Sequence, residues 1–100
     1  MPLPETLTLT WRRIDIQIDF KASTFEAYKQ TYGVALAHIE VKADERLPFT
    51  ETGYRSMFLP LPEVESYGGV TAFVEAWLED AAQSKAWKKY DQDRQQLRLF

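Results

Sequence analysis

The sequence ends in a segment whose side chains suit binding rather than covalent chemistry: Gln96-Leu97-Arg98-Leu99-Phe100. Three of its five side chains are large and apolar, and each contributes roughly 1.5–3 kcal/mol when it is fully buried. Part of that gain is lost when an extended peptide becomes ordered on a partner. We therefore expect the segment to bind another protein with micromolar affinity. The alternative is that it folds back onto its own domain, as chain ends do when they are tied down.

The same segment resembles the pentapeptide Gln-Leu-(Ser or Asp)-Leu-Phe, by which bacterial proteins bind the DNA polymerase sliding clamp. The resemblance implies that Gln96 enters a small polar subsite and that Leu97 supports the peptide. It also implies that Leu99 and Phe100 fill the main hydrophobic pocket, while Arg98 departs from the consensus at a position facing solvent. The sequence thus divides into a single domain, residues 1–95, and a candidate partner-binding tail, residues 96–100.

A second candidate interface combines a glycine, an aromatic ring, an arginine and small hydroxyls. It consists of Thr52, Gly53, Tyr54, Arg55 and Ser56. Tyrosine and arginine are frequent among the residues that dominate binding at protein interfaces. The alternative is a loop-to-strand corner in which Gly53 makes the turn, Tyr54 and Phe58 enter the core, and Arg55 caps a carbonyl.

This stretch is similar to a Thr-Gly-Tyr-Arg-Ser-His-Phe stretch in uncharacterised small bacterial proteins associated with plasmids or mobile elements. Several of those proteins also end in a Gln-Leu-Ser-Leu-Phe-like tail after a Trp-Leu helix. Met57 stands where that set has its histidine, so the resemblance does not favour a catalytic use of the stretch here.

Catalytic and metal-binding chemistry has little support in the composition. The chain has no cysteine and a single histidine, His38, which is expected to share a sheet face with Asp15, Asp19 and Glu40. A metal site needs several well-placed ligands, and one histidine among surface acids is more typical of a solvated strand. Serine nucleophiles would also depend on His38 as the sole imidazole base. We therefore predict no enzymatic activity, no cofactor and no bound metal.

The charge balance restricts the class of partner. The formal net charge is −3 and the sequence pI about 5.1, which argues against direct binding to a nucleic-acid backbone. The N-terminus lacks the basic and apolar regions of a signal peptide. No apolar run approaches the roughly 20 residues of a membrane span. The sequence predicts a cytoplasmic, acidic protein with a protein partner and no membrane contact.

Alternating apolar residues predict strands in the first half of the chain. Leu7, Leu9 and Trp11 alternate with threonines, and the phase then slips at Arg12-Arg13 before a second alternating run from Ile14 to Phe20. Without Gly, Asn or Pro at the slip, one long strand with a bulge is favoured over two strands joined by a tight turn. Residues 34–43 alternate again and predict another strand, antiparallel to the first. A further strand is predicted over residues 54–58.

Helical patterns occupy the rest. Ser23 and Glu26 have the spacing of a capping box, which favours a short helix ending at Gly33 over a structured loop. An apolar stripe at helical spacing begins at Val70 and predicts a helix that packs on the sheet. Ser84 is expected to cap a further helix, after which the solvated residues 91–95 lead the tail away from the domain. The predicted fold is α+β, with an antiparallel sheet of three or four strands covered on one face by C-terminal helices.

Two functions remain open at this point. The first is a non-enzymatic adaptor or regulator of a bacterial replicon or mobile element, recruited to the sliding clamp by its tail. The alternative is a small acidic inhibitor that occupies a basic surface of a defence or nucleic-acid enzyme. The inhibitor needs one contiguous acidic patch formed by Asp15, Asp19, Glu75, Glu79 and Asp80.

Overall fold

The structure is a computed structural model that describes residues 4–97. In chain order, its elements are β1 (Glu5–Trp11), β2 (Ile14–Lys21), α1 (Glu26–Tyr32), β3 (Leu36–Ala43), β4 (Tyr54–Pro60), α2 (Leu61–Glu65), α3 (Val70–Ala81) and α4 (Lys85–Leu97). The strands form one antiparallel sheet in the order β1-β2-β3-β4. The predicted α+β class is confirmed, with the larger of the two predicted strand numbers.

The two faces of the sheet differ because successive side chains of a strand point to opposite sides. On the helix-covered face, Ile14, Ile16 and Ile18 of β2 lie beside Ala37, Ile39 and Val41 of β3, and all six are buried. The other side, which we call the open face, carries Thr6, Thr8, Thr10, Asp15, Gln17, Asp19, Lys21, His38, Glu40, Lys42, Tyr54, Ser56 and Phe58. The alternation predicted for residues 34–43 is confirmed.

The phase slip at Arg12-Arg13 is a turn, and the preferred prediction of one bulged strand was wrong. Trp11 pairs with Ile14, so β1 and β2 form a hairpin with a two-residue loop. Both loop residues have positive φ, 48° and 69°, which is the backbone requirement of a type I′ turn. Such turns favour Asn-Gly, so Arg-Arg gave no signal. Contacts distant in sequence help to hold it, because Arg12 reaches Glu79 at 3.1 Å and lies over the Trp11 ring.

Helix α1 is present as predicted, but it does not begin where the capping box predicts. The helix begins at Glu26 with Phe25 as N-cap, and no side chain caps it. The predicted capping box from Ser23 to Glu26 was therefore wrong. The C-terminal prediction is confirmed, because Gly33 ends the helix in a left-handed conformation with φ 77°. The helix buries none of its residues, so it borders the sheet without contributing to the core.

The C-terminal helices close the core as the apolar stripe predicts. Val70, Phe73, Val74 and Leu78 of α3 are buried on the sheet. The Ser84 hydroxyl accepts a hydrogen bond from the Trp87 amide at 3.2 Å, which confirms the predicted cap of α4. Trp87 is 1% exposed and contacts the ring of Trp11 at a centroid distance of 5.8 Å. Helix α4 is thus anchored to the hairpin by its first turn.

The polar run after Tyr90 is not uniformly solvated, contrary to the prediction. Arg94 donates hydrogen bonds to Asp91 at 2.6 Å and to Glu45 at 3.3 Å, and its side chain is 12% exposed. Asp91 also lies 3.9 Å from Arg12. The run therefore ties α4 to the β3–β4 connection and to the hairpin turn. Asp93 is exposed as expected, and Lys88 and Lys89 are exposed as well.

Candidate interaction site

The start of β4 is fixed by Gly53. Its φ is 81°, and an added Cβ would meet the carbonyl oxygen of Ala43 and lie 2.8 Å from that of Glu45. The Ala43 amide donates a hydrogen bond to the Gly53 carbonyl at 2.8 Å. Gly53 is buried in this backbone contact. It therefore positions its neighbours and does not offer a surface of its own.

Two threonines complete the corner around Gly53. Thr50 Oγ1 donates to the Tyr54 carbonyl at 2.8 Å, and Thr52 Oγ1 accepts from the Tyr54 amide at 3.3 Å. The two hydroxyls are 3.1 Å apart. Side-chain hydroxyls of this kind commonly hold turns by bonding to nearby backbone groups. Thr52 thus orients the first residue of β4, and the direction of the next side chains follows from the strand.

Alternation along β4 separates the residues of the predicted second interface. Tyr54 and Ser56 point to the open face, whereas Arg55 points to the side of the helices. Tyr54 is 47% exposed, and its hydroxyl donates to Glu40 at 3.1 Å. The alternative in which Tyr54 and Phe58 enter the core was wrong, since Phe58 is 50% exposed. The five residues form a corner with two opposite surfaces.

On the helix side, Arg55 borders a groove between β4 and α3. Its guanidinium lies 5.7 Å from the centre of the Trp77 ring, and its Nη1 is 3.5 Å from the Phe49 carbonyl oxygen. This long contact agrees with the alternative in which Arg55 caps a carbonyl. The groove has a volume of about 640 Å³ and is lined by Arg55, Met57, Tyr67, Phe73, Ala76, Trp77 and Asp80. It combines aromatic and apolar walls with one cation and one anion at the rim.

Apart from Arg55, sequence reasoning missed the residues that line this groove. Trp77 has the helical spacing of the apolar stripe that predicts α3, yet it is only partly buried, and its ring stacks on that of Phe49 at a centroid distance of 3.9 Å. Tyr67 is 50% exposed, and its ring packs edge-to-face with that of Phe73 at a centroid distance of 5.2 Å. Helical spacing shows which side of a helix is apolar, but not how far the sheet extends beneath it. The groove exists because β4 is the last strand on that side.

An aromatic cluster lies on the open face at the end of the sheet near α1. His38 and Phe58 stack at a centroid distance of 4.4 Å, and Phe25 stacks on Phe58 at 5.9 Å. Phe25 is 53% exposed. The three rings come from separate parts of the chain, so no local pattern predicts the stack. Its only sequence signal is Phe58, an apolar residue on a polar face.

His38 also contacts a serine and a carboxylate. Its Nε2 lies 2.7 Å from Ser56 Oγ, while its Nδ1 lies 3.8 Å from Glu40 Oε1. A serine nucleophile needs a base that is oriented by a third group within hydrogen-bond reach. The distance of 3.8 Å exceeds that reach, and the other Glu40 oxygen accepts the Tyr54 hydroxyl. The three residues are a polar network on a sheet, with only two members hydrogen-bonded to each other.

Three charged residues on the open face, Asp19, Glu40 and Lys42, form a group of ion pairs. Lys42 Nζ lies 2.8 Å from Asp19 and 3.9 Å from Glu40. The hydrogen bond from Lys42 holds the pKa of Asp19 below its ordinary value, with further help from Gln17 and Thr6. The same bond raises the pKa of Lys42. Lys42 and Asp19 thus form an ion pair across β3 and β2.

The five acidic residues required for the inhibitor hypothesis are not one patch. Asp15 and Asp19 are on the open face, while Glu75, Glu79 and Asp80 belong to α3 on the other side of the sheet. Glu79 accepts hydrogen bonds from Trp11 at 2.8 Å and from Arg12 at 3.1 Å.

Among residues 4–97, no group of three acidic or histidine side chains is arranged to hold a metal ion. No helix in that range is long and apolar enough to span a membrane.

The predicted tail lies only partly within the described residues. Gln96 and Leu97 are the last two residues of α4, so the helix continues past the expected domain boundary at residue 95. Gln96 is exposed. Leu99 and Phe100, which the resemblance assigns to the main hydrophobic pocket, lie outside the described residues, as does Arg98.

Comparison with protein families identifies a match over most of the chain. The model of a family described as the KlcB third domain matches residues 4–87, a range that runs from β1 into α4. The chain belongs to this family. Membership in the KlcB third-domain family suggests a plasmid-associated protein, which is compatible with the predicted role in a replicon or mobile element. The match includes the corner at residues 52–56 and ends before residues 96–100. No curated protein and no solved structure matches the chain.

Proposed function

We propose that this domain is a non-enzymatic protein-interaction adaptor or regulator of a bacterial replicon or mobile element, acting in the cytoplasm. The observation that carries the proposal is the groove beside β4, where Arg55 lies over Trp77 next to Met57 and Phe73. Arginine and large aromatic residues dominate binding at protein interfaces. Membership in the KlcB third-domain family supports the plasmid context.

The position of β4 makes an extended segment the natural ligand. β4 is the last strand of the sheet, so the backbone groups on its outer side pair with no other strand among residues 4–97. An added strand gains backbone hydrogen bonds at such an edge, and its alternate side chains enter neighbouring pockets. Here those side chains would meet Met57 and Phe73, while Arg55 and Asp80 at the rim would select for charge.

Residues 96–100 are proposed as a separate site that recruits the domain to the DNA polymerase sliding clamp. The supporting observation is the match of Gln96, Leu97, Leu99 and Phe100 to the clamp-binding pentapeptide. An extended peptide of this kind requires Gln96 and Leu97 to leave the last turn of α4. Opening one terminal turn costs little free energy because the terminal residues of a helix make few hydrogen bonds. With this small cost included, the expected affinity stays in the micromolar range.

Calorimetric titration into purified bacterial sliding clamp tests the recruitment. The intact protein should bind with micromolar affinity, and a variant that lacks Leu99 and Phe100 should not bind. Arg98→Ser, which restores the consensus, should bind at least as well as the intact protein. Arg55→Ala is the control for the separate groove and should leave clamp affinity unchanged.

Failure of the intact protein to bind the clamp would remove this part of the proposal. A lower melting temperature for the truncated variant would then show that the tail packs on its own domain. The groove beside β4 would stay as the candidate interface. The inhibitor alternative receives no support, because its acidic residues are divided between the open face and α3.

A further inference from the structure

The opposite edge of the sheet is formed by β1, whose outer side pairs with no strand among residues 4–97. The two-residue loop makes Trp11 and Ile14 a hydrogen-bonded pair, and such pairs alternate along an antiparallel ladder. The backbone groups of Leu7 and Leu9 therefore point toward β2. Those of Thr6, Thr8 and Thr10 point outward and are available to another strand.

Apart from Pro4 and Glu5 at its start, this edge lacks the features by which proteins usually protect a free strand. Edge strands are commonly interrupted by proline, lysine or a bulge. From Glu5 to Trp11 the strand reads Glu-Thr-Leu-Thr-Leu-Thr-Trp, and its register with β2 is continuous. Leu7 and Leu9 remain only partly buried on the helix-covered face. An added strand would cover them and pair the outward threonines.

The sequence of β1 indicates which strand would fit. Residues 6–10 read Thr-Leu-Thr-Leu-Thr, which is the same in both directions around Thr8. In an antiparallel pair of two copies centred on Thr8, Thr6 faces Thr10 of the second copy and Leu7 faces Leu9 of the second copy. Every leucine then meets a leucine on the helix-covered face, and every threonine meets a threonine on the open face.

The hydrogen-bonding pattern and the charges agree with the same register. The facing threonines are the residues whose backbone groups point outward, so each pair exchanges two hydrogen bonds across the edge. No side chain between Thr6 and Thr10 is ionisable, so like charges do not face each other. At each end, Glu5 faces Trp11 of the second copy, beside the Arg12-Arg13 turn. Neither Glu5 nor Arg13 has an ion-pair partner within residues 4–97.

We propose that two copies of this chain associate through β1, antiparallel and around a two-fold axis at Thr8, to form a homodimer with one continuous sheet. A two-fold interface requires a surface that is complementary to itself, and the symmetric sequence of β1 meets this requirement. The β4 groove lies at the opposite edge of the sheet. The dimer would therefore present two copies of this groove and raise avidity for a partner with repeated sites.

Cysteine crosslinking tests the register directly, because the protein has no cysteine of its own. In the proposed dimer the two Thr8 Cα atoms are about 5.5 Å apart, a spacing that a disulfide spans. Thr8→Cys should therefore form a disulfide-linked dimer under mild oxidation. Gln17→Cys is the matched control, since Gln17 faces Thr8 within one chain and is also exposed. The two Gln17 residues are separated by three strand spacings, about 14 Å, and should not link.

A charge exchange at the axis tests the association in solution. The Thr8 side chain is exposed and makes no hydrogen bond to another side chain within residues 4–97, so substitutions there should not affect folding. By sedimentation, the unmodified protein should dimerise with increasing concentration. Thr8→Lys and Thr8→Glu should each stay monomeric, and their equimolar mixture should form a heterodimer.

Three outcomes would overturn the proposal. One is an unmodified protein that sediments as a monomer at every concentration up to the millimolar range. Another is dimerisation of both charged variants alone as well as the unmodified protein, which would place the interface elsewhere. The third is crosslinking of Thr8→Cys no faster than that of Gln17→Cys. A circular dichroism melt of each variant shows whether a monomeric result reflects the interface or a loss of fold.

Discussion

The two faces of the sheet are built from the same strands but have different roles. On the helix-covered face, most inward residues of β2 and β3 are isoleucine, valine and alanine, and they are buried, while Phe20 and Ala43 at the strand ends are partly buried. On the open face, the intervening residues are mainly hydroxyl, amide and charged side chains in contact with water. The comparison shows that one period-2 pattern specifies both the stability of the fold and the chemistry of an uncovered surface.

The open face is not polar throughout, and its exceptions lie at one end. Phe25, His38 and Phe58 form a ring stack there, and Tyr54 lies further along β4. Exposed aromatic residues on a surface that is otherwise polar are a feature of binding sites. The helix-covered face has its counterpart at the groove beside β4, where Trp77 is only partly buried. Both features occur where the sheet ends and coverage is incomplete.

The sharpest test of the comparison uses two residues adjacent in β3. Ile39 is 0% exposed on the helix-covered face, and Ile39→Ala should lower the free energy of unfolding by about 2–5 kcal/mol. His38 is on the open face, and His38→Ala should cost less than about 1.5 kcal/mol, mainly through lost stacking on Phe58. Urea denaturation of both variants measures the two values. Equal losses would show that the open face is covered by a part of the chain or by another copy.

A substitution at Gly53 tests how the corner at residues 52–56, where the two faces of the sheet meet, is held in place. Gly53→Ala places a Cβ against the carbonyl oxygens of Ala43 and Glu45 in a backbone with φ 81°. We expect a loss of more than about 2 kcal/mol in the free energy of unfolding. Gly33→Ala is the matched control, because Gly33 has φ 77° but no heavy atom within 4 Å of an added Cβ.

Gly33→Ala should therefore cost only the backbone term, about 1–2 kcal/mol. Thermal melts of the two variants separate the steric contribution of the corner from the left-handed backbone that both glycines share. If the two losses were equal, the corner would be held by its dihedral angles alone. The positions of Tyr54 and Arg55 would then depend less on the contact between Gly53 and β3 than the structure indicates.

Much of the fold could be predicted because its signals are local. The alternation over residues 34–43 and the stripe from Val70 depend only on which neighbours share a face, and both are confirmed. The Arg12-Arg13 turn was missed because its conformation is supported by Glu79 and Trp11 and not by turn-forming residues. The partial burial of Asp91 and Arg94 was missed because it depends on Glu45, a residue distant in sequence.

The candidate site was predicted less completely than the fold. Tyr54 and Arg55 were identified by residue type, but alternation along β4 places them on opposite faces, so they do not form one surface. Met57 and Trp77 form the groove because β4 is an edge strand, and strand order is not encoded in any local pattern. The self-complementary register of β1 is visible in the sequence, but it acquires meaning only once β1 is also known to be an edge.

The smallest expected effect concerns the charges of the open face. Asp19→Asn removes the carboxylate that Lys42 contacts at 2.8 Å. The pKa of Asp19 is lowered in the folded state, so its stabilising contribution is present at neutral pH and lost as pH falls below about 4. The pKa of Lys42 is raised, so its contribution is lost only as pH rises above about 10.5. Asp19→Asn should therefore melt slightly below the unmodified protein at pH 7, and the difference should vanish in strong acid.

Salt separates this ion pair from the neutral hydrogen bonds around it. In about 1 M salt, where the Debye length is about 3 Å, the difference between Asp19→Asn and the unmodified protein should shrink. Asp15→Asn is the matched control, because Asp15 accepts a hydrogen bond from Thr10 at 3.0 Å and has no ion-pair partner within residues 4–97. Its melting temperature should respond little to salt. A loss for Asp19→Asn that is the same at low and high salt would assign its role to the bonds from Gln17 and Thr6, and the open face would then contribute to stability through hydrogen bonding alone.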